Sequence, residues 1–366
     1  WAISSSRFTK FSNYSFNVVA RIHSERSVQE GRCCCIFFIT GAWIEVVVMI
    51  QVYILAAYYA LKELLYEAAN QGIKKRLENE IRKSRAIRSA RTKRVFITGA
   101  DGTIGREVVK KFLRYDYTVH ALVGDRQKAK VMFESLNGSQ LPLTFYEVDF
   151  ADPHEVTKFA RGFLNRCGEI HVMVFCAGTM LDDKEFIGDV ERHMCVNVVS
   201  QALLLDLLSP LLVPDARILF LSSSTAKVSH YTSSILQGDL LTYHVGPYQA
   251  YCLSKLVLSV YVEELARHRP HCIATMHPGV IPGTLYRHTN MFVRLVTYFI
   301  LPFLLRRSTF SALLVVHTCL RDDLVSGSYY EDEVAKRLGD KLTEKDKQSI
   351  FKAVQKQVQE WSRLED

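Results

Sequence analysis

No Cys-x-x-Cys or His-x-x-x-His spacing occurs in the chain, no methionine precedes Met49, and outside one short segment there is no surplus of positive charge. Without paired ligand spacings, the nine cysteines make neither a metal site nor a disulfide framework, since Cys33, Cys34 and Cys35 are contiguous and the others scattered. Free thiols in a reducing compartment fit that usage, and no metal is expected. The net charge of +8 equals the surplus of residues 74–94 alone, where ten Lys/Arg meet only Glu78 and Glu80. The remainder is balanced, so the basic character asks for no nucleic-acid partner. Internal repeats are also missing. What is present is an ordinary globular composition, 48% hydrophobic, that can fill one large core.

Residues 1–48 match no functional pattern and read as an upstream or unstructured segment. Apolar residues dominate positions 36–65, broken by Glu45 and Gln51. From Met49 onward this predicts an N-terminal, membrane-associated helix, short against the ~20 apolar residues of a full span. No small-residue cleavage site is obvious, so a retained anchor fits better than a removed signal. A helix lying on the bilayer or on the protein itself is the alternative. The basic run directly behind it places the rest of the chain on the cytosolic side of a membrane, endoplasmic reticulum or lipid droplet. On that side the glycosylation patterns at Asn13 and Asn137 stay unused. Residues 49–92 are thus read as anchor and basic linker.

Beyond Arg94 the pattern changes. Apolar runs at 95–97, 118–123, 144–148, 171–175, 217–221 and 272–276 read as strands, with helices at 104–114, 154–166, 195–212 and 249–267 between them. Continuous apolar strands alternating with helices predict a Rossmann-like α/β fold, a doubly wound parallel sheet covered on both faces. It is expected to run from 93 to 330 as one catalytic domain. A charged helix over 331–365 is expected to close the chain as its C-terminal segment, 331–366.

The first strand ends in Gly99-Ala100-Asp101-Gly102-Thr103-Ile104-Gly105, and a helix opens at once. Glycines let the backbone approach a pyrophosphate closely, and the N–H groups and dipole of the helix start attract it. Position at the first strand of an alternating pattern is what turns a glycine triplet into a dinucleotide site. Its candidate residues are Gly99, Asp101, Thr103, Ile104 and Gly105. The second strand ends at Gly124-Asp125-Arg126, where an acid would bind ribose hydroxyls and an arginine a 2′-phosphate. Asp125 and Arg126 stand side by side, so NAD and NADP both stay open, with a lean to NADP because Gly124 stands where the acid is expected. Asp149 and Phe150, after the third strand, are placed to border the adenine; Asp149 would serve equally as a helix cap.

Tyr251 and Lys255 are four apart on a predicted helix and share one face. A phenol with a pKa near ~10 is a poor acid–base group at neutral pH. A neighbouring ammonium favours the phenolate and corrects that. Ser223, at the end of the fifth strand, is placed to hydrogen-bond a substrate oxygen. A Tyr-x-x-x-Lys spacing alone is common on solvated helix faces. The order glycine turn, Asn197, Ser223, Tyr251, Lys255 is not.

These residues resemble the short-chain dehydrogenase/reductase family, over roughly residues 93–330. The resemblance implies a nicotinamide-dependent oxidoreductase with a catalytic tetrad. Tyr251 would be the acid/base, Lys255 would lower its pKa and hold the nicotinamide ribose, Ser223 would position the substrate oxygen, and Asn197 would organise a relay water near Lys255. It also implies that Ala177 and Gly178 border the coenzyme and that Pro278, Gly279, Val280 and Thr284 form the loop on the nicotinamide amide. Within the family, residues 250–256 and His277-Pro278-Gly279 are similar to the microsomal retinol dehydrogenases. Residues 285–288 and 327–330 are similar to the member on chromosome X linked to polyprenol metabolism. There are two departures. Thr103 stands where the short form has glycine, giving the spacing of the sugar-nucleotide-modifying form, and Cys176 replaces an asparagine whose hydrogen bond steadies the sheet.

Residues 291–305 are strongly apolar, follow the nicotinamide loop and end in Arg306-Arg307. A lid of this kind could admit a lipid from the bilayer with the arginines near headgroups; a helix packed on the domain or a homodimer contact is the alternative. The leading expectation is a membrane-associated NAD(P)-dependent enzyme acting on a lipophilic alcohol/carbonyl pair, retinoid, steroid or polyprenoid. Thr103 and Cys176 keep a non-catalytic dinucleotide-binding membrane protein in view, which a turnover assay after coenzyme titration separates. A sugar-nucleotide epimerase or dehydratase would need a substrate domain that the sequence after Lys255 does not supply.

Overall fold

The computed structural model describes residues 30–85, 93–133, 141–180, 184–281 and 305–364, with side chains from residue 41. The chain divides into two units, Trp1–Trp43 and Ile44–Asp366, and the second holds the whole α/β domain. Strands β1 (Lys93–Thr98), β2 (Tyr117–Val123), β3 (Leu143–Glu147), β4 (Ile170–Phe175), β7 (Leu212–Leu221), β8 (Cys272–His277), β9 (Tyr329–Glu331) and β10 (Val334–Lys336) form one sheet. Their order is β10-β9-β8-β7-β4-β1-β2-β3, and a two-residue pair, β5 (Phe186–Ile187) and β6 (Val190–Glu191), stands apart. Every neighbour in the large sheet runs parallel except β10 against β9.

Side chains alternate between the faces of a strand, and this sheet is apolar on both. Val95 and Ile97 enter one core and Phe96 the other. The first core is closed by α2 (Ile73–Lys83), α3 (Thr103–Arg114), α4 (Arg126–Phe133) and α8 (Ser308–Leu320). The second is closed by α5 (Pro153–Leu164), α6 (Ser200–Leu208), α7 (Pro247–Leu265) and α9 (Glu344–Trp361). The strand order reverses at β1, which has β2 on one side and β4 on the other. Ligands of open parallel sheets bind at that reversal, beyond the carboxyl ends of the strands.

Three features differ from the sequence reading. The helix expected over 331–365 starts only at Glu344, because residues 329–336 form the β9–β10 hairpin, turned at Asp332 with φ of 56°. The stretch read as a basic linker contains α2, whose Ile73, Leu77 and Ile81 recur every four residues and are buried in the domain core, while Arg76 pairs with Glu333 at 2.6 Å. The helix entering α6 begins three residues earlier than expected, at Arg192, and passes through a π-helical turn, Cys195–Val199. The apolar helix α1 (Glu30–Ala69), for which the sequence leaves an anchor and a helix lying on the bilayer or the protein both open, is docked along the domain over its second half. Val48, Val52, Tyr59 and Glu63 are buried there, and Val46, Ile50, Ile54, Leu61 and Leu65 face outward. Among the described residues, Gly41–Ala69 and Arg192–Leu211 are long and apolar enough to cross a membrane, and the latter is mostly buried core.

Candidate active site

The turn after β1 places its backbone against the end of β4. Gly99 has φ of 61°, and a Cβ there would lie 2.7 Å from Ala177 Cα. A Cβ on Gly105 would lie 2.2 Å from the Gly99 carbonyl oxygen and 2.9 Å from Ala100 Cα. No side chain caps the start of α3, and its first turn carries no acid, so the helix terminus suits an anion. A turn of this shape is a cradle that suits the pyrophosphate of a dinucleotide. The backbone atoms around Gly105 cannot swing aside, so Gly105→Ala must open the turn. The cost of such overpacking, roughly 1–3 kcal/mol, predicts coenzyme binding weakened by about 10- to 100-fold in a fluorescence titration.

The cradle is one end of a cleft of about 830 Å³, within the ~300–1,000 Å³ usual for small-molecule sites. Gly99, Asp101, Thr103, Ile104, Gly105, Asp125, Asp149, Phe150, Ala177, Gly178, Ser223, Tyr251, Lys255, Pro278, Gly279 and Val280 all line it. Arg126 is not among the lining residues, whereas Lys128 is, and Asp125 Oδ1 accepts the Lys128 N–H at 2.8 Å. Asp149 accepts the Ala151 N–H at 2.8 Å, and the cap of α5 is Asp152, which takes the N–H groups of His154 and Glu155. Thr284 and residues 291–304 of the expected lid lie outside the described residues.

Pro247 in the first turn of α7 presets the helix, which then presents Tyr251 and Lys255 to the cleft floor. The Lys255 ammonium donates to the Leu221 carbonyl at 3.0 Å and lies 5.8 Å from the centre of the Tyr251 ring. Burial brings the Lys255 pKa down to about 8, against a raising influence of Cys176. Gly178 marks where the parts meet: a Cβ there would lie 3.0 Å from Asn197 Oδ1 and 3.4 Å from Lys255 Nζ. Asn197 sits in the π-helical turn, a feature common at functional sites. Its Oδ1 accepts the Thr179 N–H at 2.9 Å, and its Nδ2 donates to the Thr179 carbonyl at 3.1 Å and to Ser254 Oγ at 3.0 Å. Ser223 Oγ accepts both the N–H and the hydroxyl of Thr225, at 3.2 and 2.9 Å. Its own O–H is thereby left to donate elsewhere. Next to the Cys176 departure, the Ala177 N–H donates to the hydroxyl of Thr98 at 3.1 Å and ties the end of β4 to β1.

The sequence reading missed two groups. Glu191, at the foot of the helix leading to Asn197, accepts from the His193 and Met194 N–H groups and contacts the His193 and His244 rings at 2.7 and 3.2 Å. Burial alone would raise its carboxyl, but the hydrogen bonds from His193 and His244 bring it down to about 2. The His193 ring meets Tyr251 edge-on with centroids 6.5 Å apart, so the cluster braces the tyrosine. The second group is Val52, Tyr53 and Ala56 of α1, which form part of the cleft wall. A spacing signal existed: Glu45, Tyr59 and Glu63 interrupt an apolar helix along one stripe.

Fold and site define an α/β protein with a glycine turn at the switch point of its sheet and a tyrosine and a lysine of one helix facing a common cleft. The sequence pattern of the short chain dehydrogenases matches residues 93–235. The chain is 31% identical to bovine (Bos taurus) retinol dehydrogenase 12 over 255 residues, covering 65% of this chain and 77% of that protein. It is 29% identical to human (Homo sapiens) retinol dehydrogenase 11, over 74% of this chain and 85% of that protein. To mouse (Mus musculus) polyprenol dehydrogenase it is also 29% identical, over 65% and 75%. A short-chain dehydrogenase/reductase structure from Serratia marcescens shares the fold, with a TM-score of 0.52 at 17% identity over 65% of this chain and 94% of that one. An Escherichia coli short-chain dehydrogenase solved with NADPH does so with a TM-score of 0.51 at 18% identity, over 66% and 97%. The chain belongs to the short-chain dehydrogenase/reductase family and is an NAD(P)-dependent oxidoreductase acting on alcohol groups.

Proposed function

We propose that the protein is a membrane-associated enzyme that interconverts a lipophilic alcohol (retinoid, steroid or polyprenoid) and its aldehyde or ketone. The observation that carries this is the meeting of Tyr251, Lys255 and Ser223 in a cleft with an apolar side, formed by Val52, Ala56, Met180 and Ile281. The relatives named for retinol and polyprenol support the substrate class. A bound nicotinamide supplies or accepts the hydride. The chain's own residues handle the proton: Tyr251 exchanges it with the substrate oxygen, and Lys255 favours the phenolate left behind. Ser223 directs its free O–H to that oxygen. Asn197 spends its side chain on Thr179 and Ser254, holding the floor beside Lys255 in place; a relay water would use its carbonyl, which Gln201 shares at 3.1 Å.

For the coenzyme, Gly124 offers no acid, Asp125 spends one oxygen on the Lys128 N–H, and Lys128 borders the cleft; these support NADP(H). The outward apolar face of α1 supports membrane contact, at the endoplasmic reticulum or a lipid droplet with the domain in the cytosol. The test is oxidation of NADPH and NADH by membranes holding the full chain, offered retinal, a steroid ketone or a polyprenal. Saturable turnover of at least one, faster with NADPH, is expected. Tight coenzyme binding without turnover of any of the three would sink the proposal.

A further inference from the structure

Helix α1 is apolar enough to span a bilayer, with a mean hydropathy of 1.9 over an 18-residue stretch within Gly41–Ala69. Yet one stripe of it is spent on the catalytic domain. Glu45 accepts the N–H groups of Tyr248 and Gln249 at 2.8 and 3.0 Å, so it caps the catalytic helix α7. Val52 is buried against Cys252 of the same helix, and the Tyr53 hydroxyl lies 2.9 Å from that of Tyr248. Further along, the Tyr59 hydroxyl donates to Glu331 at 2.6 Å. Glu63, 2% exposed, accepts the Val280 N–H at 3.0 Å and faces Arg306 at 3.5 Å and His277 at 3.3 Å. The helix thus reaches from the start of α7, on one bank of the cleft, to the loop after β8 on the other. Buried carboxylates need such partners, because an unpaired charge in an apolar setting is very costly. A helix crossing a bilayer could not keep these contacts.

We propose that α1 is a fixed wall of the substrate site, with Tyr53 and Ala56 setting the length and girth of the lipid alcohol accepted and Glu63 locking the loop at Val280. This rests on the lipid-alcohol reading of the cleft and deepens it: the segment expected as a tether is a specificity element. On this reading a lipid chain extending from the Tyr251 hydroxyl lies along the face of α1 that carries Val52, Tyr53 and Ala56.

Two measurements on the full chain in detergent test this. Benzoylphenylalanine placed at Tyr53 and irradiated is expected to crosslink to the peptide containing Tyr248; a crosslink elsewhere overturns the docking. Retinol binding, followed by its own fluorescence, is expected to weaken by about tenfold or more in Ala56→Trp, since a bulky ring would fill the wall. NADPH binding should stay within twofold. Retinol affinity equal to that of the unaltered chain, or lost in parallel with NADPH affinity, overturns the wall role, as does an unaltered chain that binds no retinol. Retinol bound selectively through Ala56 but never turned over leaves the wall intact and removes the enzymatic reading instead.

Discussion

Replacing Tyr251 by phenylalanine should lower kcat by about 10²- to 10⁴-fold, the usual contribution of a positioned acid–base group, with coenzyme affinity unchanged. The ring is 4% exposed and packs on Met180 and Tyr248, contacts that phenylalanine keeps. The substitution therefore removes one hydroxyl and little else, and a melting temperature close to that of the unaltered protein will certify that. Unchanged turnover would remove Tyr251 from the chemistry. The lysine behind it gives a second readout. In the proposed carbonyl reduction Tyr251 gives up its proton, and the phenolate left behind is favoured only while Lys255 carries its charge. Burial brings the Lys255 pKa down to about 8, so the reductive rate should be full below that pH and fall as pH rises through it. In Lys255→Met that limb should vanish together with most of the rate.

The parts legible in the sequence are those set by local chemistry. Strands β1, β2, β4 and β8 are short apolar runs that no other element would use, and the glycine turn is fixed by close backbone approach at Gly99 and Gly105. Tyr251 and Lys255 needed only helical periodicity. What escaped was set by partners distant in sequence. The hairpin of β9 and β10 is three residues a side and charged. Its Glu331 reads as helix surface until Lys227 and Tyr59 are brought to it from elsewhere in the chain. For helix α1 the sequence leaves a membrane anchor and a helix on the protein both open, because apolarity does not distinguish a lipid neighbour from a protein one. Only the polar stripe of Glu45, Tyr59 and Glu63 does, and its meaning depends on the partners at Tyr248, Glu331 and Val280.

Glu331 is where loss of a single side chain should cost the fold most. It is 2% exposed, pairs with Lys227 and Lys336, and accepts from Tyr59 of α1 and from Tyr329 at 3.2 Å. Removing one partner of a buried ion pair costs about 3–5 kcal/mol. Lys227 and Lys336 keep side-chain exposures of 29% and 42%, so both can rehydrate. The lower end, about 3 kcal/mol, is therefore expected for Glu331→Gln, a fall in melting temperature on the order of 5 °C. Burial would raise the Glu331 carboxyl, but the Lys227 ammonium and the hydrogen bonds from Lys227, Lys336 and Tyr59 hold it well below the usual carboxylate range. Its folded value is thus depressed. The stability it contributes is full above the ordinary glutamate pKa near ~4.3 and drains away as pH falls below it. The gap in melting temperature between Glu331→Gln and the unaltered chain should accordingly be widest near neutrality and narrow on acidification. Tyr59→Phe removes a hydroxyl that donates to Glu331 and accepts from Lys227 but leaves the lysine–carboxylate pairs, so it should cost less, about 1.5 kcal/mol, the lower end for hydrogen bonds to charged groups. Equal losses from the two substitutions would mean that the clamp on α1, and not the ion pair, carries the energy.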